Sequence, residues 1–577
     1  MTTTFQQLKK AARHAAADLP AIKVALLGDT ATQLLATAIS GTLAMRGYRA
    51  ELYEADYNQI EMQMLNPDSE YHASGARYTV VFQSTHRLLG LYNSLDRAAQ
   101  ERLADDRMAQ IEALAAACDG KMIYLDYPET ADNVFGSFGT RVRHSFVYQL
   151  RRLNYLLGEF AATHPDFYIC DIADVQNRIG RSAMFDANIY NSTEMVLSLG
   201  SLPYVAARIA DIITALQGRA RKCVILDLDN TLWGGVVGDD GWQGIQIGIG
   251  MGIGKAFSEF QAWLRQLKNR GIILAVCSKN NEATAKEPFE KNPEMVLSLD
   301  DIAMFVANWD NKADNIRHIQ QTLNIGFDSM VFIDDNPFER NIVRENIDGI
   351  TVPEMPEDPA DWLEFLYGLN LFEAAAYSEA DSDRTRQYQV EARRSADHRR
   401  FADEDQYLQS LDMRAGVAGF DDFNTPRVAQ LSQRSNQWNL RTVRYDEADI
   451  HRIAADGLHA CFAFTLADKY GDNGLISVVI LDKNDERRRL FVDTWFMSCR
   501  VLKRGMEQFV LNTVVDYARA NGYREIEGEY IATPKNSLVA DLYPSLGFEP
   551  APGREGRYIL DVDRYEPLKT HITINKH

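Results

Sequence analysis

Asp227 and Asp229 stand two residues apart in the run Asp227-Leu228-Asp229-Asn230-Thr231, directly after the apolar stretch CVIL. The end of a buried strand in a parallel sheet is where such folds hold reacting groups. Two carboxylates spaced this way in a turn can face one pocket, one to attack phosphorus and the other to shuttle a proton to the leaving oxygen. A carboxylate attacking phosphate brings anion to anion, so a cation is needed beside them. The remaining parts follow in chain order. Ser278 comes after the apolar run GIILAVC and offers a hydroxyl for a phosphoryl oxygen. Lys312, in NWDNK, can neutralise phosphate and nucleophile together. Asp334 and Asp335 follow MVFI, where they can complete a magnesium shell of hard oxygen ligands.

These residues need a sheet to hold them. The pattern predicts an α/β unit over 218–352, with strands VILDL, GIILAVCS (271–278) and MVFIDD (330–335) and a helix over 255–269. Only 46 residues separate Thr231 from Ser278, too few for a large cap. The stretch WGGVVGDDGWQGIQIG predicts a small hairpin flap, so another domain or a partner must shield the site from water. Residues 1–217 open with a short amphipathic helix ending near Pro20. Buried strands follow at IKVALLG (22–28), RYTVVFQST (77–85), GKMIYLDYP (120–128) and DFYICDI (166–172), with helical patterns after Thr30 to about Arg46 and around 93–117 and 145–164. Alternating strands and helices predict a parallel sheet. Residues 353–414 read as a proline- and acid-rich connector running into a charged helical stretch, a solvated face. From 415 to 577, strands at 474–482, 489–498 and 524–530 around a long helix at 503–522 predict an α+β domain with a mostly antiparallel sheet.

A chain of 577 residues is too long for one hydrophobic core. Its formal net charge of -20 argues against a nucleic-acid or membrane-surface binder, since both would repel an acidic surface. The six cysteines (Cys118, Cys170, Cys223, Cys277, Cys461 and Cys499) are scattered, without a CxxC pair or a Cys/His cluster, which speaks against a zinc site or a disulfide framework. Free thiols, an N-terminus without an apolar signal core and the lack of a bilayer-length apolar run predict a soluble cytoplasmic protein.

The set DLDNT, Ser278, Lys312 and Asp334-Asp335 resembles the haloacid dehalogenase superfamily in residue type, order and strand context. The resemblance implies that Asp227 is the phosphorylated nucleophile and Asp229 the acid/base. It also implies magnesium held by the Asp227 side chain, the Asp229 backbone carbonyl and Asp334, with Asp335 as second choice. The neighbourhoods are more specific. LDLDNTLWGGVVGDDG, CSKNN, NWDNK, FIDDNPFER and RVAQLSQRSNQWNLRTVRY (427–445) resemble the FkbH-like family from about residue 220 onward. That resemblance implies loading of a glyceryl unit from 1,3-bisphosphoglycerate onto an acyl carrier protein, with a cysteine carrying the acyl group as a thioester. Cys277, next to Ser278, is the expected thiol, activated by Lys312 and magnesium; its alternative is a small buried core residue. Cys499 is the rival.

The last domain resembles the acetyltransferase fold of the GNAT superfamily through FVDTWFMSCRVLKRGME and NSLVADLYPSLGFE. In that family a glycine-rich turn presents N–H groups to the pyrophosphate of coenzyme A at a helix N-terminus. Arg500, Arg504 and Gly505 fit the pattern, Lys503 replaces its first glycine, and Tyr543 matches the frequent general acid or else packs as an aromatic. The resemblance implies binding of coenzyme A or of a carrier's phosphopantetheine arm. The first domain resembles SGNH-type hydrolases through VALLGDT, with Thr30 in place of the serine. FDANIYNSTEM has Asp186 without the expected histidine, and Asn133 and His144 lie elsewhere, so the domain reads as structural or docking. The whole predicts an enzyme that dephosphorylates a phosphorylated three-carbon acid and passes the acyl unit to a carrier. The alternatives are a simple magnesium-dependent phosphatase of a small phosphoester or sugar phosphate, and a noncatalytic carrier-docking platform.

Overall fold

The computed structural model describes residues 3–130, 132–250, 252–377, 384–398, 401, 403–435, 437–498, 501–533 and 535–575. It divides into two compact units, Met1–Ala215 and Leu216–His577.

In the first unit, strands β1 (Ala21–Gly28), β2 (Arg49–Glu54), β3 (Tyr78–Phe82), β4 (Lys121–Leu125) and β5 (Phe167–Cys170) form a parallel sheet in the order β2-β1-β3-β4-β5. This is the flavodoxin-type doubly wound order. β1, β3 and β4 are near-continuous apolar runs because parallel strands are covered on both faces. β2 is an edge strand that is only partly buried, so it lacks the apolar run by which its neighbours are read.

In the second unit, β6 (Cys223–Leu226), β7 (Ile273–Ser278), β8 (Ile302–Ala307) and β9 (Met330–Ile333) form a Rossmann-like parallel sheet in the order β8-β7-β6-β9. β8 adds a fourth strand to the expected three; it lies at the edge and is partly exposed in its middle. Alternate side chains feed two separate cores. Val224, Leu226, Leu274 and Val276 enter one with the Ile253–Asn269 helix; Cys223, Ile225, Ala275 and Cys277 enter the other with the Lys312–Leu323 helix. The expected hairpin flap is a short helical segment, Val237–Gly244, broken at Gly241 (φ 66°) and closed by one antiparallel bridge between Gly234 and Gln246.

Connector helices at Trp362–Leu369, Arg384–His398 and Glu404–Ser410 lead into the C-terminal domain. Its strands are β10 (Arg414–Ala418), β11 (His459–Asp468), β12 (Gly471–Asn484), β13 (Arg489–Met497), β14 (Glu525–Glu529), β15 (Glu549–Pro550), β16 (Arg557–Asp561) and β17 (Thr573–Ile574). They form one eight-stranded sheet, mostly antiparallel but with β13 and β14, and β10 and β17, parallel, around the Met506–Ala520 helix. Lys535 of this domain pairs with Asp328, in the turn just before β9. Among the described residues no helix is long and apolar enough to cross a membrane.

Candidate active site

β6 and β9 end level and β7 runs two residues further, to Ser278: Leu226 pairs with Val276 on one side and Ile333 on the other. The residues that follow therefore emerge together at the carboxyl ends of the strands. The chain leaves β6 in a tight turn in which Asn230 takes a left-handed conformation (φ 55°), tolerated by asparagine at little cost, and accepts a hydrogen bond from Gly235 N at 2.9 Å. Each of the other loops hands over to a helix through an asparagine cap. Asn281 caps Glu282–Lys291, Asn311 caps Lys312–Leu323, and Asn336 caps Pro337–Asn346, which has proline in its first turn. Lys312 is thus the first helical residue after its cap, held with its side chain 3% exposed.

Lys312 Nζ lies 2.9 Å from Asp227 Oδ2 and donates to Asp334 Oδ2 at 2.6 Å. Burial works against its charge, but the Asp227 and Asp334 carboxylates outweigh it and hold the ammonium above the ordinary lysine range. Burial, with the charge of Asp227, pushes Asp334 up to about 7 in spite of Lys312. Asp335 is raised by the same two causes. Thr231 is fully buried and supports Asp335 from both sides, its hydroxyl donating to Asp335 Oδ1 at 3.1 Å and accepting from Asp335 N at 3.2 Å. Ser278 is buried at the end of β7, beside this group.

Oxygens of Asp227, Asp334 and Asp335 lie within 4.8 Å of one another. Asp227 Oδ1 is buried and has no hydrogen-bond partner among the described residues. A buried, unpartnered carboxylate oxygen among hard oxygen donors fits a magnesium ion. The Asp229 carboxylate stands apart from these three. It accepts from the Trp233 indole (2.9 Å), Val237 N (2.9 Å) and Asn280 Nδ2 (2.8 Å). Burial nevertheless raises it above the usual aspartate range, which suits a proton carrier. Three supporting residues had no role assigned from sequence: Trp233, Asn280 and Arg340, whose guanidinium donates to the backbone oxygens of Asp334 (2.8 Å) and Asp335 (2.6 Å). They lie inside the quoted motifs, five or fewer residues from Asp229, Asp335 or Ser278 in the chain.

Cys277 corrects the expectation of an activated thiol. It follows Val276 on the opposite face of β7, fully buried among Ile225, Ala313 and Phe332, with Sγ 3.7 Å from the Lys312 carbonyl oxygen. Burial pushes the thiol well above its ordinary range; Lys312 acts the other way and is outweighed. Cys499 and Arg500 lie outside the described residues. Arg504 is buried and turned toward Asp468 (3.4 Å), which also holds Arg394 (2.7 Å), so its expected place on a phosphate is corrected as well. Gly505 caps the Met506–Ala520 helix at φ 76°, and Lys503 also takes positive φ (60°), the conformation the glycine pattern serves. Tyr543 is 1% exposed and packs against Phe548 and Tyr558. A Cβ on Gly528 would meet its ring at 2.2 Å, and burial holds the phenol above its usual range: it is a packed aromatic rather than an accessible acid.

In the first unit, Thr30 is buried after β1 and Asp29 accepts Ser84 N at 2.9 Å. Asp186 caps the Ala187–Thr193 helix, and His144 packs edge-on against Phe135. These contacts do not assemble a hydrolytic triad.

Residues 23–214 match the family model described as FkbH, N-terminal domain. The chain is similar to the crystal structure of the N-terminal part of protein BF1531 from Bacteroides fragilis, which contains a phosphatase domain complexed with Mg. The identity is 59%, the match covers 65% of this chain and 100% of that one, and the TM-score is 0.64. The ribosomal-protein-S18-alanine N-acetyltransferase of Escherichia coli (15% identity, 25% of this chain and 90% of that one, TM-score 0.20) and the spermidine N-acetyltransferase of Vibrio cholerae in complex with CoA and spermine (15%, 26% and 96%, 0.21) match far more weakly. No curated protein matches the chain.

Proposed function

We propose that this chain, similar to the FkbH N-terminal domain over residues 23–214 and to a magnesium-bound phosphatase-domain protein, is a magnesium-dependent phosphatase-type enzyme that takes a phosphorylated three-carbon acid and loads its glyceryl unit onto an acyl carrier protein. The observation that carries the phosphoryl-transfer part is the Asp227 carboxylate, one oxygen 2.9 Å from Lys312 and the other unpartnered. Magnesium held by Asp227, Asp334 and Asp335 supplies the positive charge that lets a carboxylate approach a phosphate.

On a substrate such as 1,3-bisphosphoglycerate, two different bonds must break. At the phosphoester, Asp227 attacks phosphorus, the bond from phosphorus to the alcohol oxygen breaks, and Asp229 gives that oxygen a proton. Water then releases phosphate from the aspartyl phosphate, with Asp229 taking a proton back. Lys312 and the Ser278 hydroxyl hold the phosphoryl oxygens. At the acyl phosphate, a thiolate attacks the carbonyl carbon, the acyl carbon–oxygen bond breaks and phosphate leaves. Attack by Asp227 on that phosphorus would instead release a carboxylate and lose the activation. The thiol is therefore the carrier's phosphopantetheine end, directly or after Cys499, and not the buried Cys277.

That burial also favours a plainer reading, a magnesium-dependent phosphatase of a small phosphoester that forms no acyl-enzyme. A noncatalytic docking platform has no use for the Asp227, Lys312 and Asp334 cluster. Intact-protein mass spectrometry after incubation with magnesium and 1,3-bisphosphoglycerate, with and without a carrier, separates these readings. A glyceryl adduct on the carrier supports acyl transfer. Phosphate release with no adduct on either protein leaves the plain phosphatase.

A further inference from the structure

Coenzyme A has an anionic end and an extended arm with two amides. The C-terminal domain has two places of matching chemistry: the N-terminus of the Met506–Ala520 helix, and the backbone left unpaired where β13 and β14 part. Their parallel pairing runs from Arg489 with Glu525 to Val492 with Gly528; β13 then continues to Met497 paired with β12 but not with β14. We infer that this domain does not take coenzyme A, because its own residues 438–440 already fill the fork and its own Glu507 carboxyl competes for the donors at the helix N-terminus.

Residues 438–440 lie in the fork as a built-in strand. Leu440 N donates to Trp495 O (3.4 Å), Met497 N to Trp438 O (3.1 Å) and Ile531 N to Leu440 O (2.9 Å), with an antiparallel bridge between Asn439 and Phe496. The edges of both parting strands are thereby satisfied. Two clamps hold the segment. Asn536, fully buried, donates through Nδ2 to Asn439 O (3.0 Å) and Ile531 O (2.9 Å). Arg441 spans the fork to Asp493 (2.7 Å) and Glu529 (2.8 Å). The Trp438 indole packs edge-on against Trp495, centroids 5.3 Å apart.

At the other place, Glu507 lies in the first turn of the helix, where burial raises its carboxyl above the ordinary glutamate range against the pull of its own backbone N–H and that of Lys503. A pyrophosphate there would compete with this carboxyl for the same donors. Thr570 closes the turn from the C-terminal tail, donating to Gly505 O at 3.1 Å and lying where a Cβ on Gly505 would meet it at 3.2 Å.

The inference is independent of the phosphoryl-transfer reading. Its test uses the full chain with coenzyme A and acetyl-coenzyme A as probes, by titration calorimetry and amide hydrogen exchange. The expected result is slow exchange at Leu440, Met497 and Ile531, unchanged by either probe. Saturable binding that alters exchange at these amides or at Lys503 and Glu507 would overturn it. Fast exchange at all three amides in the unliganded chain would do the same, since the fork would then be open.

Discussion

Lys312 Nζ sits 2.9 Å from Asp227 Oδ2 at the point where a strand end faces the first turn of a helix. The contact engages one carboxylate oxygen and leaves Oδ1 unpartnered among the described residues. Asp227→Asn keeps the shape but removes the nucleophilic charge, so phosphate release should fall at least roughly a thousandfold. A malachite-green assay on a generic phosphoester checks this; retained turnover would take Asp227 out of the mechanism.

Lys312→Ala leaves Asp227 and Asp334 buried together without their cation. Breaking a buried pair in this way costs about 3–5 kcal/mol, most of it the uncompensated charge. Thermal unfolding without magnesium should show the loss, and added magnesium should restore part of it. A variant as stable as the parent would mean that Lys312 does not neutralise the pair.

Magnesium affinity should rise with pH. Asp334 is raised to about 7, so below that value it keeps a proton that the metal must displace; above it the ligand is already ionised. Affinity should therefore fall by up to about tenfold per unit as pH drops below 7. Titration calorimetry at pH 6 and pH 8 reads this directly, and equal affinities would contradict it.

Asn280→Ala removes a donor to the ionised form of Asp229, which raises its pKa further. Turnover should drop about 10–100-fold, and the pH profile should move to higher pH with it. A loss of turnover with an unmoved profile would assign Asn280 a merely structural part.

Cys277→Ala should leave phosphate release unchanged, and carrier acylation too wherever the parent shows it. In the folded chain Cys277 should resist iodoacetamide, as read by peptide mapping. Rapid labelling would show that its cover opens.

Three members of the candidate set were legible because each follows an uninterrupted apolar strand: CVIL before Asp227, GIILAVC before Ser278, MVFI before Asp334. Long buried runs announce parallel strands, and their ends announce sites. The same alternation held the correction for Cys277, since consecutive residues of a strand face opposite sides and Ser278 already claims the site. Edge strands such as β2 and β8 are half-buried and carry a weaker pattern. The pairing of residues 438–440 with Trp495, Met497 and Ile531 joins segments more than fifty residues apart, and no local periodicity encodes it. Asn280 and Trp233 act through side-chain geometry rather than through their own chemistry, so their types alone did not mark them.

The clasp between Lys535 and Asp328 fastens the C-terminal domain at the amino ends of β6 and β9, while Asp227 and Asp334 emerge from the other ends. About 13 Å of strand, at roughly 3.3 Å per residue, separates the two levels. Attachment and catalysis thus use opposite poles of one sheet. A change in what is fastened at one pole therefore reaches the Asp227, Asp334 and Asp335 cluster only through the length of the sheet.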